Sequence, residues 1–183
     1  MNREEAFNLI KEKIQNQNLV KHSLAVEACT KALADHFNGD KEKWGIAGLL
    51  HDIDYEETKN SPEGHSIVGA EFLEKLGLDK EITEAVKCHN EAHGILPESK
   101  LAKALFCVDP LTGLIVAATL VLPSKKLKDL TVENVLNRFK EKLFAKGANR
   151  EIILKCSEIG LSLEKFVEIC LKAMQQISDQ IGL

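Results

Sequence analysis

Ile46-Ala47-Gly48-Leu49-Leu50 runs directly into His51-Asp52. A helix that buries the apolar run carries the imidazole and carboxylate after it into the interior, where charge needs a partner. A divalent metal suits both groups. A second apolar run, Ala104 to Val108, ends the same way on Asp109. The chain holds six histidines: His22, His36, His51, His65, His89 and His93. Four are expected at a helix end or in a first turn, on four different helices. Facing helices of a bundle build metal centres this way, with side chains converging inward. Imidazole and carboxylate without thiolate suit a catalytic Mn, Fe, Co, Ni or Zn ion better than a structural zinc.

The remaining polar residues read more plainly. His36, beside Asp35 near a helix end, reads as a surface residue or a hydrogen-bonded core residue, and His93 as either an exposed loop residue or a substrate contact. Cys88 beside His89 does not make a nucleophile–base pair, because neighbours on a helix diverge by about 100°. Nucleotide-loop, zinc-protease and serine-hydrolase motifs are absent from the sequence.

The positioning elements are helical. Apolar spacing predicts helices over Glu4–Gln15, Leu19–His36, Lys41–Asp52 and Gly64–Leu76, with Gly39 and Gly77 as stops. Asp79 caps a helix through Asn90, and Ser99–Val108 is followed after Pro110 by a separate helix, Leu111–Leu122. Asp54 to Pro62 reads as a polar loop over the site, marked by Asn60-Ser61-Pro62, and Glu91 to Glu98 as a second loop. Thr131–Phe144, Asn149–Ile159 and Ser162–Ile181 complete an all-α chain. Residues 1–128 are expected to form the core with its N-terminal helix. Residues 129–183 are a C-terminal helical extension packed on that core, within one structural domain.

Composition agrees with this class. The chain has 183 residues, 44% hydrophobic, 28% charged and 5% aromatic, which leans to helix over strand. A net charge of −4 argues against nucleic acid held on a general basic surface. Five scattered cysteines without a CxxC pair point to a reducing, cytoplasmic setting. The N-terminus shows no signal-peptide pattern. The longest apolar run, Leu114 to Leu122, falls short of the ~20 residues a bilayer requires, so a soluble protein is expected.

The pattern His22…His51-Asp52…Asp109, with its flanking segments Lys21–Glu27, Ala47–Ile53 and Leu105–Asp109, resembles the HD-domain superfamily of metal-dependent phosphohydrolases. Gly64–Ala70 and Val86–His89 are similar to the extra-histidine segments of its two-metal members, among them the bacterial symmetrical diadenosine-tetraphosphate hydrolases. The segments after Asp109 resemble bacterial HD proteins known only as hydrolases. The resemblance implies an HD-domain helical bundle with additional C-terminal helices. It implies His22, His51, Asp52 and Asp109 on a first divalent ion, Asp52 bridging, and His65 and His89 on a second. Where alarmone hydrolases carry an acidic pair, this chain has Tyr55-Glu56, so no substrate carries over.

Hydrolysis of a phosphate ester or anhydride, of a nucleotide by preference, is the implied activity, through one or two divalent ions. Asp52 and His93 are the expected catalytic residues, His93 protonating the leaving oxygen. By charge and position, Lys87, Lys103 and Arg150 are expected to meet the phosphate. The competing reading is a non-catalytic HD module that senses a nucleotide. A homo-oligomer stays open.

Overall fold

The computed structural model describes residues 1–61 and 63–183; Pro62, part of the expected turn signal, lies outside them. No strand occurs among the described residues, and the fold is all-α. The first helices are α1 (Arg3–Lys13), α2 (Gln17–Phe37) and α3 (Lys41–Leu50), each begun by a polar cap whose side chain accepts a free backbone N–H: Asn2, Asn16 and Asp40. Then follow α4 (Tyr55–Thr58), α5 (Ile67–Lys75), α6 (Lys80–Cys88) and α7 (Lys100–Leu120). The C-terminal part holds α8 (Val132–Lys140), α9 (Arg150–Leu154), α10 (Leu163–Gln176) and α11 (Ser178–Ile181).

α2 and α7 are the axis of the bundle. α2 packs against α3, α7 and α10, while α7 packs against α6, α8 and α9. One apolar core runs through all of them, from Ala6 and Ile10 to Phe166 and Met174. The approach of α3 to α2 depends on Gly48. A Cβ there would fall 2.4 Å from Thr30 Oγ1 and 3.0 Å from the Val26 carbonyl. Any side chain at 48 forces the two helices apart, and overpacking of this kind typically costs ~1–3 kcal/mol.

Several boundaries differ from the sequence reading. Pro110 does not divide two helices. It lies inside one 21-residue helix, α7. Proline removes a hydrogen bond to the carbonyl four residues earlier. Burial of Leu105, Val108, Leu111, Leu114 and Ile115 on both sides of it holds the helix together regardless. By length and composition α7 would suffice to cross a membrane, which the shorter run Leu114–Leu122 would not, but most of its apolar side chains are core residues here.

The left-handed stop of α2 falls on Asn38 (φ 54°), not Gly39, as asparagine tolerates that conformation. The loop after Asp54 contains the short helix α4. The second C-terminal helix shortens to α9 followed by a 3₁₀ turn over Lys155–Ile159, and the last one breaks at Ile177.

Candidate metal centre

Four helices each deliver part of the site. α2 presents His22 near its start. α3 ends at Leu50, and His51 and Asp52 follow in the turn that leaves it. His89 is the C-terminal cap of α6, and Asp109 sits in the middle of α7. His65 was expected in a first helical turn but precedes α5, next to Ser66, whose φ of 73° is left-handed. Such a conformation costs ~1–3 kcal/mol in a non-glycine residue. Here it is held from both sides. The Ser66 N–H donates to Asp54 Oδ2 (2.8 Å) and its hydroxyl to the Lys87 carbonyl (3.0 Å).

Asp52 is the middle of the cluster, and its two oxygens face different partners. Oδ2 lies 3.4 Å from His51 Nε2 and 3.7 Å from His22 Nε2. Oδ1 lies 3.3 Å from both His65 Nε2 and His89 Nε2. Asp109 Oδ1 closes the first side, 2.9 Å from His22 Nε2 and 3.8 Å from His51 Nε2. Donor atoms of His22, His51 and Asp109, and of His51, Asp52 and His89, gather closely enough to share an ion.

The other ring nitrogens decide whether these residues suit a metal. His51 Nδ1 lies 2.8 Å from the Gly48 carbonyl, and His89 Nδ1 2.6 Å from that of Val86. A carbonyl only accepts, so both Nδ1 atoms carry the proton. His65 Nδ1 donates to Asp54 Oδ1 (3.0 Å). Thr112 gives its hydroxyl proton to the Asp109 carbonyl (2.9 Å), which leaves its oxygen to accept from His22 Nδ1 (3.2 Å). With Nδ1 so engaged, each of the four imidazoles turns its Nε2 towards carboxylate oxygens, and two of those nitrogens, on His22 and His51, stand 3.2 Å apart. Unprotonated nitrogens so arranged repel unless cations lie among them. The donor set fits divalent metal, with each histidine oriented by an outer partner as metal ligands are.

The same carboxylates also favour protons on the histidines. Burial opposes charge on His51, yet Asp52 and Asp109 outweigh it and push its pKa up to about 9. Burial likewise opposes charge on His65, and Asp52 with Asp54 raise it to about 10. Burial would raise Asp52 and Asp109, but the histidines around them hold both down, Asp52 well below the usual range.

These shifts carry a sign for stability. A folded-state histidine pKa above the unfolded value of 6.5 stabilises fully below that pH, and the gain is lost as pH rises through 9 and 10. The depressed carboxylates stabilise above their unfolded pKa near 4 and lose the gain in acid. Metal-free protein is expected to melt highest between about pH 4 and 6.5, and lower with each step towards pH 10. An unchanged melting temperature from pH 6 to 10 would contradict the charge arrangement.

The other expected site residues lie apart. His93 does not point its ring to the cluster: its Nε2 contacts the His65 carbonyl at 2.6 Å, so the proton it was expected to deliver is already donated to backbone. Lys87 is exposed and lines grooves beside Glu84 and Cys88. Lys103 is half-buried on α7 and lines none of the grooves described around the cluster. Arg150 is spent on structure. Its guanidinium donates to the carbonyls of Phe144 (2.6 Å), Ala145 (2.7 Å) and Ala148 (2.6 Å), and more weakly to those of Arg138 and Phe139 (both 3.4 Å).

That staple shapes the loop over the site. Ala145, Gly147 and Ala148 wall a groove of about 340 Å³ beside His22 and Asp109. Gly147 and Asn149 wall a smaller one, about 140 Å³, beside His65 and His89. Asn149 also donates to Glu91 (2.8 Å) across that second groove.

Asp54 is the residue the sequence reading missed. The polar loop expected from Asp54 onwards gives it no role, but it is 3% exposed and accepts from Ser66 N, Gly69 N and His65 Nδ1. Tyr55, half-exposed, packs edge-on to His65 with ring centroids 5.2 Å apart.

Comparison with known proteins agrees with this geometry. Residues 19–113 match the HD domain, a span that includes His22, His51, Asp52, His65, His89 and Asp109. Among curated relatives, Ribonuclease Y of Lawsonia intracellularis is 34% identical over 139 residues, covering 74% of this chain and 26% of that protein. Ribonuclease Y of Nitratidesulfovibrio vulgaris is 33% identical over 160 residues, 85% of this chain and 30% of the relative. Ribonuclease Y of Fusobacterium nucleatum is 31% identical over 139 residues, 74% and 27% respectively. The chain thus spans less than a third of the length of these relatives. With the family matched over half its length and the histidines and aspartates converging, the chain belongs to the HD-domain family of metal-dependent phosphohydrolases.

Proposed function

We propose that this chain hydrolyses a ribonucleotide phosphodiester, with short RNA as the substrate class, at the cluster centred on Asp52. His22, His51, Asp52 and Asp109 would hold one divalent ion, and Asp52, His65 and His89 a second. The observation that carries the reading is the division of Asp52, with Oδ2 towards His22 and His51 and Oδ1 towards His65 and His89. Ions bound there supply Lewis acidity to a phosphoryl oxygen and lower the pKa of water towards 7.

The chain's own residues do the positioning. Thr112, Gly48, Asp54 and Val86 fix the four imidazoles so that every Nε2 points inward. His93 and Asn90 hold the His65 backbone from the other side, so we assign His93 to positioning instead of proton delivery. The choice of a phosphodiester in RNA draws on the relatives, which are named ribonucleases. The net charge of −4 favours short strands over long ones, since extended phosphate contact relies on many cations.

Protein loaded with Mn²⁺ is expected to cleave both a short labelled oligoribonucleotide and bis(p-nitrophenyl) phosphate, and to stop on addition of chelator. Binding of the oligonucleotide without product, at full metal occupancy, would overturn the enzymatic reading in favour of a sensing module.

A further inference from the structure

We propose that the cavity of about 460 Å³ beside His22 is the nucleoside subsite of this centre, with Lys21 as its anion-facing cation. The proposal rests on the phosphodiesterase reading above and adds which part of the substrate is gripped and by what.

Three observations point to it. The cavity shares His22 with the metal cluster, so a group seated in it lies one residue from the reacting phosphate. Its size lies within the range of small-molecule sites, ~300–1,000 Å³. Its walls also divide by chemistry. Ala25 and Val116 form an apolar side, and Leu120 adds to it while 50% exposed, although most apolar side chains of the same helix are buried. Together they give the cavity an open apolar wall, as small-molecule sites have for an apolar ligand face.

Asn18 and Lys21 form the polar side. Lys21 makes no ion pair among the described residues, even though the carboxylates of Asp52 and Asp109 are engaged next door by His22. The Lys21 ammonium rests against Gly182, where a Cβ would stand 2.9 Å from Nζ. Gly182 has a φ of 74°, so glycine both permits that turn and leaves the lysine its place. A cation free of carboxylates, an amide and an apolar wall together match a nucleotide: phosphate towards Lys21 and the cluster, base against Val116 and Leu120.

Calorimetric titration of the full chain loaded with Mn²⁺ tests this without relying on turnover. Adenosine 5′-monophosphate is expected to bind at least tenfold more tightly than inorganic phosphate. Val116→Trp, which fills the cavity, is expected to erase that difference at unchanged metal content. Leu120→Trp, at a half-exposed position that does not threaten folding, is expected to reduce it as well. Lys21→Met should weaken both ligands.

Equal affinity for the two ligands, or a preference that survives both tryptophan variants, overturns the subsite. So does hexyl phosphate binding as tightly as the nucleotide, because the pocket would then read any apolar group. The centre itself fails separately, through absence of hydrolysis by protein that carries its metal.

Discussion

Asp52→Ala is expected to remove both ions at once and to lower phosphodiester hydrolysis by about 10³-fold or more, since several kcal/mol of charge stabilisation is lost and each 1.36 kcal/mol is tenfold. Its two oxygens stand within 3.3 to 3.7 Å of all four inward-facing Nε2 atoms. No neighbour can take over that geometry. Asp109 reaches only His22 and His51. Asp109→Ala should therefore spare the His65 and His89 side, and the contrast between the two variants separates a bridging carboxylate from a terminal one. Activity within tenfold of wild type in Asp52→Ala would refute the assignment.

Asp54→Ala is the second large effect, and it reads mainly in stability. The carboxylate accepts from two buried backbone N–H groups, Ser66 and Gly69, and from His65 Nδ1. Each buried donor left without a partner costs ~1–3 kcal/mol, so a loss of about 3–5 kcal/mol is expected from the urea midpoint. Ser66 loses the contact that holds its left-handed backbone, and His65 loses the partner that fixes its tautomer. An ion that His65 and His89 would hold should go with it, leaving one per chain. A change under about 1 kcal/mol, or two ions retained, would show that the turn is held by something other than Asp54.

Much of this was legible in the order of residues. Apolar runs ending on His51-Asp52 and on Asp109 announce buried polar groups wherever the helices lie, and polar caps such as Asp40, Asp79 and Ser99 mark helix starts locally. What was not legible depends on distance in space. Asp54 matters because α5 begins beside it, with a Cβ at Gly69 only 3.0 Å from its Cγ, and nothing near Asp54 in sequence reports that.

Arg150 looked like a phosphate ligand by charge, yet the loop folds back so that its carbonyls take up the guanidinium. His93 was ambiguous as a loop residue, and its Nε2 meets the His65 carbonyl, 28 residues away. Pro110 obeyed a local rule that burial on both sides overrode. Local chemistry was readable where the residue's partner is its own helix, and unreadable where the partner comes from another.

Asp52, facing His22 and His51 with one oxygen and His65 and His89 with the other, would divide the cluster into two metal positions. Elemental analysis of gently purified protein, with His65→Ala prepared alongside, tests it directly. About two divalent transition ions per chain are expected in the wild type and about one in the variant, because His65 serves only the Oδ1 side of Asp52. Wild-type protein that saturates at a single ion, or a His65→Ala variant that still holds two, would contradict it.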